Sequence, residues 1–355
     1  MLSRLLTSTN AAVPSGLRPG TYLLWCRMLS KTALLLLITF AFVAGASTAD
    51  MARAQDFAYR QQYDSAVAVT SAAIAVDWSN PGPYYWQAAI LQLLIDDSGR
   101  DWLADSFFSL SDRTVALCRQ RLARNRNDAN AHLYFGMTQI NRASFLGFQQ
   151  RLVPALRVLL DVTPHLNAAL ALDSSLTDAR FGLGMIEYFM AKSDRYLPGL
   201  RLGSRRKAYS LVRPLAEGTG LRKPAAEMVI AFMLKEDGHY DAALGYCRQV
   251  LAAYPGSRSA LRLMRDILFD ARRYADVVQV GAELDSSLIN AFPDNRYGLA
   301  QNWVVCGKAY AQMGEKPRAR ELFDRVIAWE PYQADVPWLP QYLRQAKWWR
   351  RRLGR

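Results

Sequence analysis

The chain is poor in the residue types that reactive and metal sites draw on. It has three histidines, His132, His165 and His239, and four cysteines, Cys26, Cys118, Cys247 and Cys306. None of the histidines is spaced with another histidine or a cysteine for a metal site. No Cys-x-x-Cys pair occurs, and the last three cysteines sit among apolar helical residues, so each reads as a small buried hydrophobe rather than part of a disulfide framework. There is no phosphate-binding glycine loop ending in Gly-Lys-Ser/Thr, no dinucleotide glycine fingerprint and no nucleophile elbow. Strictly alternating apolar and polar runs, the mark of strands, are missing too. The acidic pairs Asp96-Asp97 and Glu236-Asp237 stand just ahead of glycines and read as solvated turn residues. His239 falls in a turn and His132 at a helix start, where each reads as an exposed polar residue. These gaps predict a non-catalytic chain with no cofactor and no metal. An enzyme would need an unrecognised site of distant side chains converging in a closed pocket.

What is present is apolar residue, helix-forming residue and positive charge. Hydrophobic residues make up 51% and charged residues 21%, enough to bury a large core and to exclude wholesale disorder. The formal net charge is +13, from 44 basic and 31 acidic residues. Residues 1–49 hold Arg4, Arg18, Arg27 and Lys31 and no acid, so the remainder carries 40 basic against 31 acidic residues, a net +9. That excess suits an anionic membrane surface, an acidic partner or a nucleic acid. No nucleic-acid-binding module is visible, so none is expected as a partner.

Residues 32–46, TALLLLITFAFVAGA, form an unbroken apolar run behind Lys31. The run is shorter than the roughly 20 residues that span a bilayer comfortably. Ser47-Thr48-Ala49 ahead of Asp50 fits a signal-peptidase site, with Ala52-Arg53-Ala54 as a second candidate. A cleaved signal peptide over residues 1–49 is predicted, an uncleaved anchor being the alternative. Residues 1–27 are long and rich in proline and glycine for the start of such a signal, whereas Met28 opens a compact MLSK. Translation from Met28, and a protein that acts in the periplasm or on the outer side of a membrane, are the expectations.

Beyond residue 50 the chain repeats itself. Tyr63, Tyr240 and Tyr274 are each followed after three residues by Ala66, Ala243 or Val277, and after ten by Ala73, Val250 or Leu284. Those offsets place one apolar face on a helix. The cleanest unit, residues 300–333, reads AQNWVVCGKAYAQMGEKPRARELFDRVIAWEPYQ. Trp303, Cys306, Gly307 and Tyr310 lie on its first helix, Gly314 marks a turn, Ala319, Phe323 and Val326 lie on its second helix, and Pro331 stops it. This unit resembles a tetratricopeptide repeat over its whole length, and Tyr240 and Tyr274 stand at that repeat's spacing. Residues 225–257 match again, with Gly238-His239-Tyr240 at the turn and Pro255 at the end. Residues 258–293 give a third, lengthened unit. Residues 177–215 carry Leu183, Gly184 and Glu187 at first-helix positions. Residues 130–141, 168–173 and 55–80 supply further pieces. Six or seven helical pairs are expected over residues 50–333, with two irregular insertions at 142–164 and 192–207. The resemblance implies an all-α, right-handed solenoid.

The same resemblance implies where a ligand would sit. First-helix residues line the groove of such a solenoid, and here they are Leu133 and Met137, then Phe181, Met185 and Tyr188, then Met228, Phe232 and Lys235, then Arg262, Asp266 and Phe269, and finally Val304 and Lys308. This set is more apolar and aromatic than a groove built to clamp a terminal carboxylate, so an apolar or amphipathic segment of a protein or peptide partner is expected. The alternative is that these aromatics pack beneath the inserted segments. Basic residues cluster twice. One cluster is Arg201, Arg205, Arg206, Lys207, Arg213, Arg222 and Lys223. The other lies in residues 334–355, where Trp348, Trp349, Arg350, Arg351 and Arg352 predict a helix that caps the solenoid and could meet an anionic membrane. A protein-binding scaffold is therefore the leading expectation, and a membrane-peripheral assembly factor the alternative.

Overall fold

The computed structural model describes residues 48–99, 101–149, 151–159, 161–193, 203–220, 222–336 and 338–354. Met28 and the apolar run at 32–46 lie outside the described residues, as do 194–202 of the second insertion and Arg201 of the first basic cluster. Among the described residues there is no strand, and no helix is long and apolar enough to cross a membrane.

The helices are α1 (Thr48–Tyr59), α2 (Tyr63–Val76), α3 (Pro81–Ser98), α4 (Ala104–Arg124), α5 (Ala129–Phe148), α6 (Leu152–Leu159), α7 (Val162–Leu172), α8 (Thr177–Ser193), α9 (Arg205–Ala216), α10 (Lys223–Glu236), α11 (Tyr240–Ala253), α12 (Arg258–Asp270), α13 (Tyr274–Ala291), α14 (Arg296–Gln312), α15 (Lys316–Ile327) and α16 (Leu339–Leu353). The first insertion is mostly helical rather than irregular. α5 runs on through Arg142 to Phe148, and α6 and α7 fill most of the rest. Pro154 and Pro164 fall in the first turns of α6 and α7, where a missing N–H leaves no intrahelical bond unmade, so they start helices instead of breaking them.

Local chemistry sets the other boundaries. The side chains of Asp128, Ser204 and Asn295 accept hydrogen bonds from the backbone N–H groups of Ala131, Lys207 and Gly298, capping α5, α9 and α14. Gly314 takes φ +81° in the turn between α14 and α15, a conformation that costs a side-chain-bearing residue dearly. Gly307 has a different role. A Cβ there would sit 2.8 Å from the Phe323 ring, so only glycine lets α14 and α15 approach this closely.

The chain divides into two compact units. The first takes Val67–Ala89 and Phe108–Ala226, with the described residues up to Ala54. Within it α5 packs against α6 and α7, and α8 against α7 and α9. The second is built from three stretches, Gln55–Ala66, Ile90–Phe107 and Glu227–Arg355. Here consecutive helices pack from α11 through to α16. Its core joins Leu261, Leu284, Leu288, Trp303, Phe323 and Val326 to Leu339, Leu343, Ala346 and Leu353 of α16. The last helix thus covers the apolar face that the final pair would otherwise expose, as a cap must.

Candidate functional site

The groove positions read from the sequence are mostly covered. Leu133, Met137, Phe181, Met185, Tyr188, Met228, Phe232, Lys235, Arg262 and Val304 are all buried, while Asp266, Phe269 and Lys308 are half-buried. Met137 packs towards α8, since its sulfur lies 2.8 Å from where a Gly182 side chain would begin. The Arg222 guanidinium lies over the Phe181 ring at 5.4 Å. Tyr188 meets Tyr209 edge-on at 6.5 Å. These side chains serve as packing in the folded units. Arg222 is itself buried and ion-paired with Asp178, so it leaves the surface cluster that the sequence suggested.

The second unit holds a feature that sequence reading missed. Asp96 and Asp97 are not solvated turn residues; both are buried at the C-terminal end of α3. Asp97 is 2% exposed. Its Oδ2 accepts from the Tyr63 hydroxyl at 2.6 Å and from Arg258 Nε at 2.9 Å, and its Oδ1 accepts from Arg262 Nη1 at 2.7 Å. The Asn295 side-chain amide donates to its backbone carbonyl at 2.6 Å. Gln61 extends the contact, donating to the Gly256 carbonyl at 3.0 Å and accepting from the Arg258 N–H at 3.3 Å. Arg258 and Arg262, 161 and 165 positions further along the chain, therefore share one carboxylate.

Electrostatics follow from that packing. Burial alone would raise the Asp97 carboxyl, but the Arg262 and Arg258 guanidiniums outweigh it and hold the group below the usual carboxylate range. Asp96 is the opposite case. Burial pushes it well above that range, against the pull of Arg262 and with the help of the Asp97 charge, and its Oδ2 has no hydrogen-bond partner among the described residues. Two adjacent carboxyls are thus driven apart in protonation. Arg265 continues the polar seam, donating to Asn302 Oδ1 at 2.8 Å, and Asn302 and Trp303 both donate to Asp285. Lys235 is held by Asp270 at 2.7 Å and Glu236 at 3.2 Å. Burial lowers its ammonium, and the two acids more than restore it.

His132 departs from its expected exposure. It is half-buried in the first turn of α5, and its Nδ1 lies 2.9 Å from Nδ1 of His165 on α7. Its Nε2 lies 3.0 Å from the Arg126 carbonyl, which can only accept. Neutral His132 therefore carries its proton on Nε2 and accepts at Nδ1 from His165. His239 is exposed, and Cys118, Cys247 and Cys306 are buried free thiols. No group of three or more metal-ligating side chains occurs among the described residues.

Among the described residues, Trp78, Trp102, Tyr332 and Trp348 are the exposed large aromatics. At the α2–α3 turn, Val76 is 88% and Trp78 67% exposed. The Arg113 guanidinium of α4 lies over Trp78 at 5.8 Å and over Tyr84 at 5.7 Å. The Tyr84 hydroxyl donates to the Trp78 carbonyl at 3.2 Å, which fixes the turn. Another exposed patch is on α16, around Trp348, which is 53% exposed.

No protein-family profile and no curated protein sequence matches the chain. Solved structures do. The chain superposes on the APC/C hetero-tetramer Cut9–Hcn1 with a TM-score of 0.55 at 13% identity, over 85% of its own length. It spans about half of that chain, 52%. The type IV pilus biogenesis factor PilW gives a TM-score of 0.49 at 14% identity, covering 72% of this chain and 98% of PilW. A tetratricopeptide repeat protein from Parabacteroides merdae gives 0.41 at 15% identity, covering 84% of this chain and 98% of that one. The fold is the all-α solenoid of tetratricopeptide-type helical pairs, closed by a C-terminal helix.

Proposed function

We propose that this chain, a tetratricopeptide-type solenoid, is a non-catalytic protein-binding scaffold that acts outside the cytoplasm and engages its partner through an exposed aromatic–arginine patch. The apolar run at 32–46 supports export. The observation that carries the binding reading is the cluster of Val76, Trp78, Tyr84 and Arg113. Tryptophan, tyrosine and arginine dominate the energetics of protein interfaces; the two aromatics bury much area for few rotatable bonds, and the planar guanidinium stacks on rings and pairs with acids. Here the arginine lies within cation–π reach of both rings, and a backbone-directed hydrogen bond holds the turn, so little ordering cost remains for association. The first-helix aromatics, by contrast, already pack inside the fold. A protein segment that offers an apolar anchor beside an acidic side chain fits this patch: the anchor meets Val76 and Trp78, and the acid meets Arg113.

Quantitative affinity capture from the native host tests this, comparing the wild-type chain with Trp78→Ala and with Val76→Asp. The expected result is a partner enriched by wild type and lost roughly tenfold or more with either variant, since an interface tryptophan typically contributes about 2 kcal/mol. Equal capture by all three would place the interface elsewhere. No protein enriched above an empty matrix would remove the scaffold reading altogether.

A further inference from the structure

The chain's last helix leaves part of its charge without a counter-ion. Where an acid is within reach, α16 is neutralised: Lys347 pairs with Glu330, and Arg350 pairs with Asp324 at 2.8 Å. Glu321 of α15 is taken by Arg325 at 2.6 Å. Arg344, Arg351 and Arg352 face solvent and form no ion pair among the described residues. With Trp348 they fall at successive turns on one side of the helix, opposite buried Leu339, Leu343, Ala346 and Leu353. Trp348 stands edge-on to Trp349 at 5.1 Å, and Trp349 stacks over buried Phe323 at 6.3 Å. The outer tryptophan is therefore seated on the core while its ring reaches outward. Arg352 covers one ring face from 5.2 Å.

We propose that this stripe, Arg344, Trp348, Arg351 and Arg352, is a docking surface for an anionic lipid bilayer. It is one exposed face of a single helix, which suits a flat surface better than a peptide. The charge left over is all positive and matches a layer of acidic headgroups. Base stacking by a nucleic acid would compete with the Arg352 guanidinium, which already covers one of the two ring faces. The free ring edge instead suits the headgroup level, where indole rings settle. The three arginines neutralise headgroup charge while the indole enters beside them. The proposal stands apart from the scaffold reading, because it uses neither Trp78 nor Arg113.

The full chain is bound to vesicles of phosphatidylglycerol and phosphatidylcholine, or of phosphatidylcholine alone, with bromine on the acyl chains to quench nearby indoles. Quenching that disappears in Trp348→Phe isolates this ring from the other tryptophans and from any binding by the N-terminal apolar run. The expected result is Trp348-dependent quenching on the anionic vesicles only. The triple variant Arg344→Glu, Arg351→Glu, Arg352→Glu should abolish it. Three arginines at the surface favour the anionic vesicles on the order of a hundredfold. Unchanged far-ultraviolet circular dichroism shows that the variants are folded. Identical quenching in wild type and Trp348→Phe, or equal quenching on both vesicle types, overturns the proposal. So does retention of the wild-type chain on immobilised polyglutamate with no preference for anionic vesicles, which would assign the stripe to an acidic protein.

Discussion

Replacing Asp97 by alanine should destabilise the second unit by about 3–5 kcal/mol, the range for breaking a buried ion pair from one side. The figure follows from what the carboxylate leaves behind. Arg258 and Arg262 are both buried, and Asp97 is their shared counter-charge. Without it Arg258 keeps Ser287 Oγ at 3.3 Å and the Phe292 ring at 5.1 Å. Arg262, which already has one nitrogen without a partner among the described residues, keeps only the neighbouring Asp96. The substitution Asp97→Asn preserves shape but turns an amide donor towards guanidinium donors, so it should cost nearly as much. Asp96 offers partial relief, because it can ionise beside Arg262 once the Asp97 charge is gone. The double variant Asp96→Asn, Asp97→Asn should therefore lose more than the two single effects combined. The assay is urea denaturation at pH 7, with hydrogen exchange of α12 as a local readout. A total domain stability of about 5–15 kcal/mol makes the loss easy to see. A change below about 1 kcal/mol, with α12 protection intact, would refute the reasoning, since water must then be solvating both guanidiniums.

Other outcomes follow from single features. Asp97, held low, contributes stability that is present above the ordinary carboxylate pKa of about 4 and is lost as pH falls through its folded value. Asp96, held high, does the reverse, so Asp96→Asn should raise stability at pH 7 and leave it unchanged at about pH 3, as measured by denaturation at both. His165 is lowered by burial and by His132, with Arg119 adding to this and Asp161 opposing it. Its contribution is present above the ordinary histidine value and fades as pH falls below about 6.5. Unfolding of the first unit should therefore lose much of its pH dependence between about pH 7 and 5 in His165→Gln, measured by denaturation across that range. Gly307→Ala should cost about 1–3 kcal/mol by driving a methyl into the fully buried Phe323 ring, while Gly245→Ala, with open space around it in α11, should gain about 0.5–1 kcal/mol; thermal denaturation separates the signs.

The repeat pattern was legible because it is local. Gly307 and Gly314, the aromatics at second-helix positions and the 34-residue spacing of Tyr240 and Tyr274 all lie within neighbouring turns of chain, and the helices fall where they predict. The capping role of residues 339–353 was legible for the same reason, from an apolar side opposite arginines. The burial of Asp97 was not. Its partners Arg258 and Asn295 lie far along the chain, and a helix-end acid ahead of glycine is a turn residue in most settings. The one available signal was that Arg262 sits at a first-helix position among mostly apolar residues. The helices of the 142–164 insertion were missed for another reason: it holds Pro154 and Pro164, and proline starts helices as readily as it ends them, so spacing alone does not say which.

Solenoids ordinarily fold through contacts between neighbours, so each repeat can form before the next is made. The second unit does not have that freedom. Its Gln55–Ala66 and Ile90–Phe107 stretches belong with residues beyond Glu227, and Asp97 finds its guanidiniums only 161 residues further along the chain. Closing so long a loop is a slow, high-contact-order step. A chain delivered from its N-terminal end would carry an unclamped acid pair at the end of α3 until α12 and α14 arrive. Deleting the last repeats should therefore loosen the chain near its beginning, coupling two ends that a simple repeat array would leave independent.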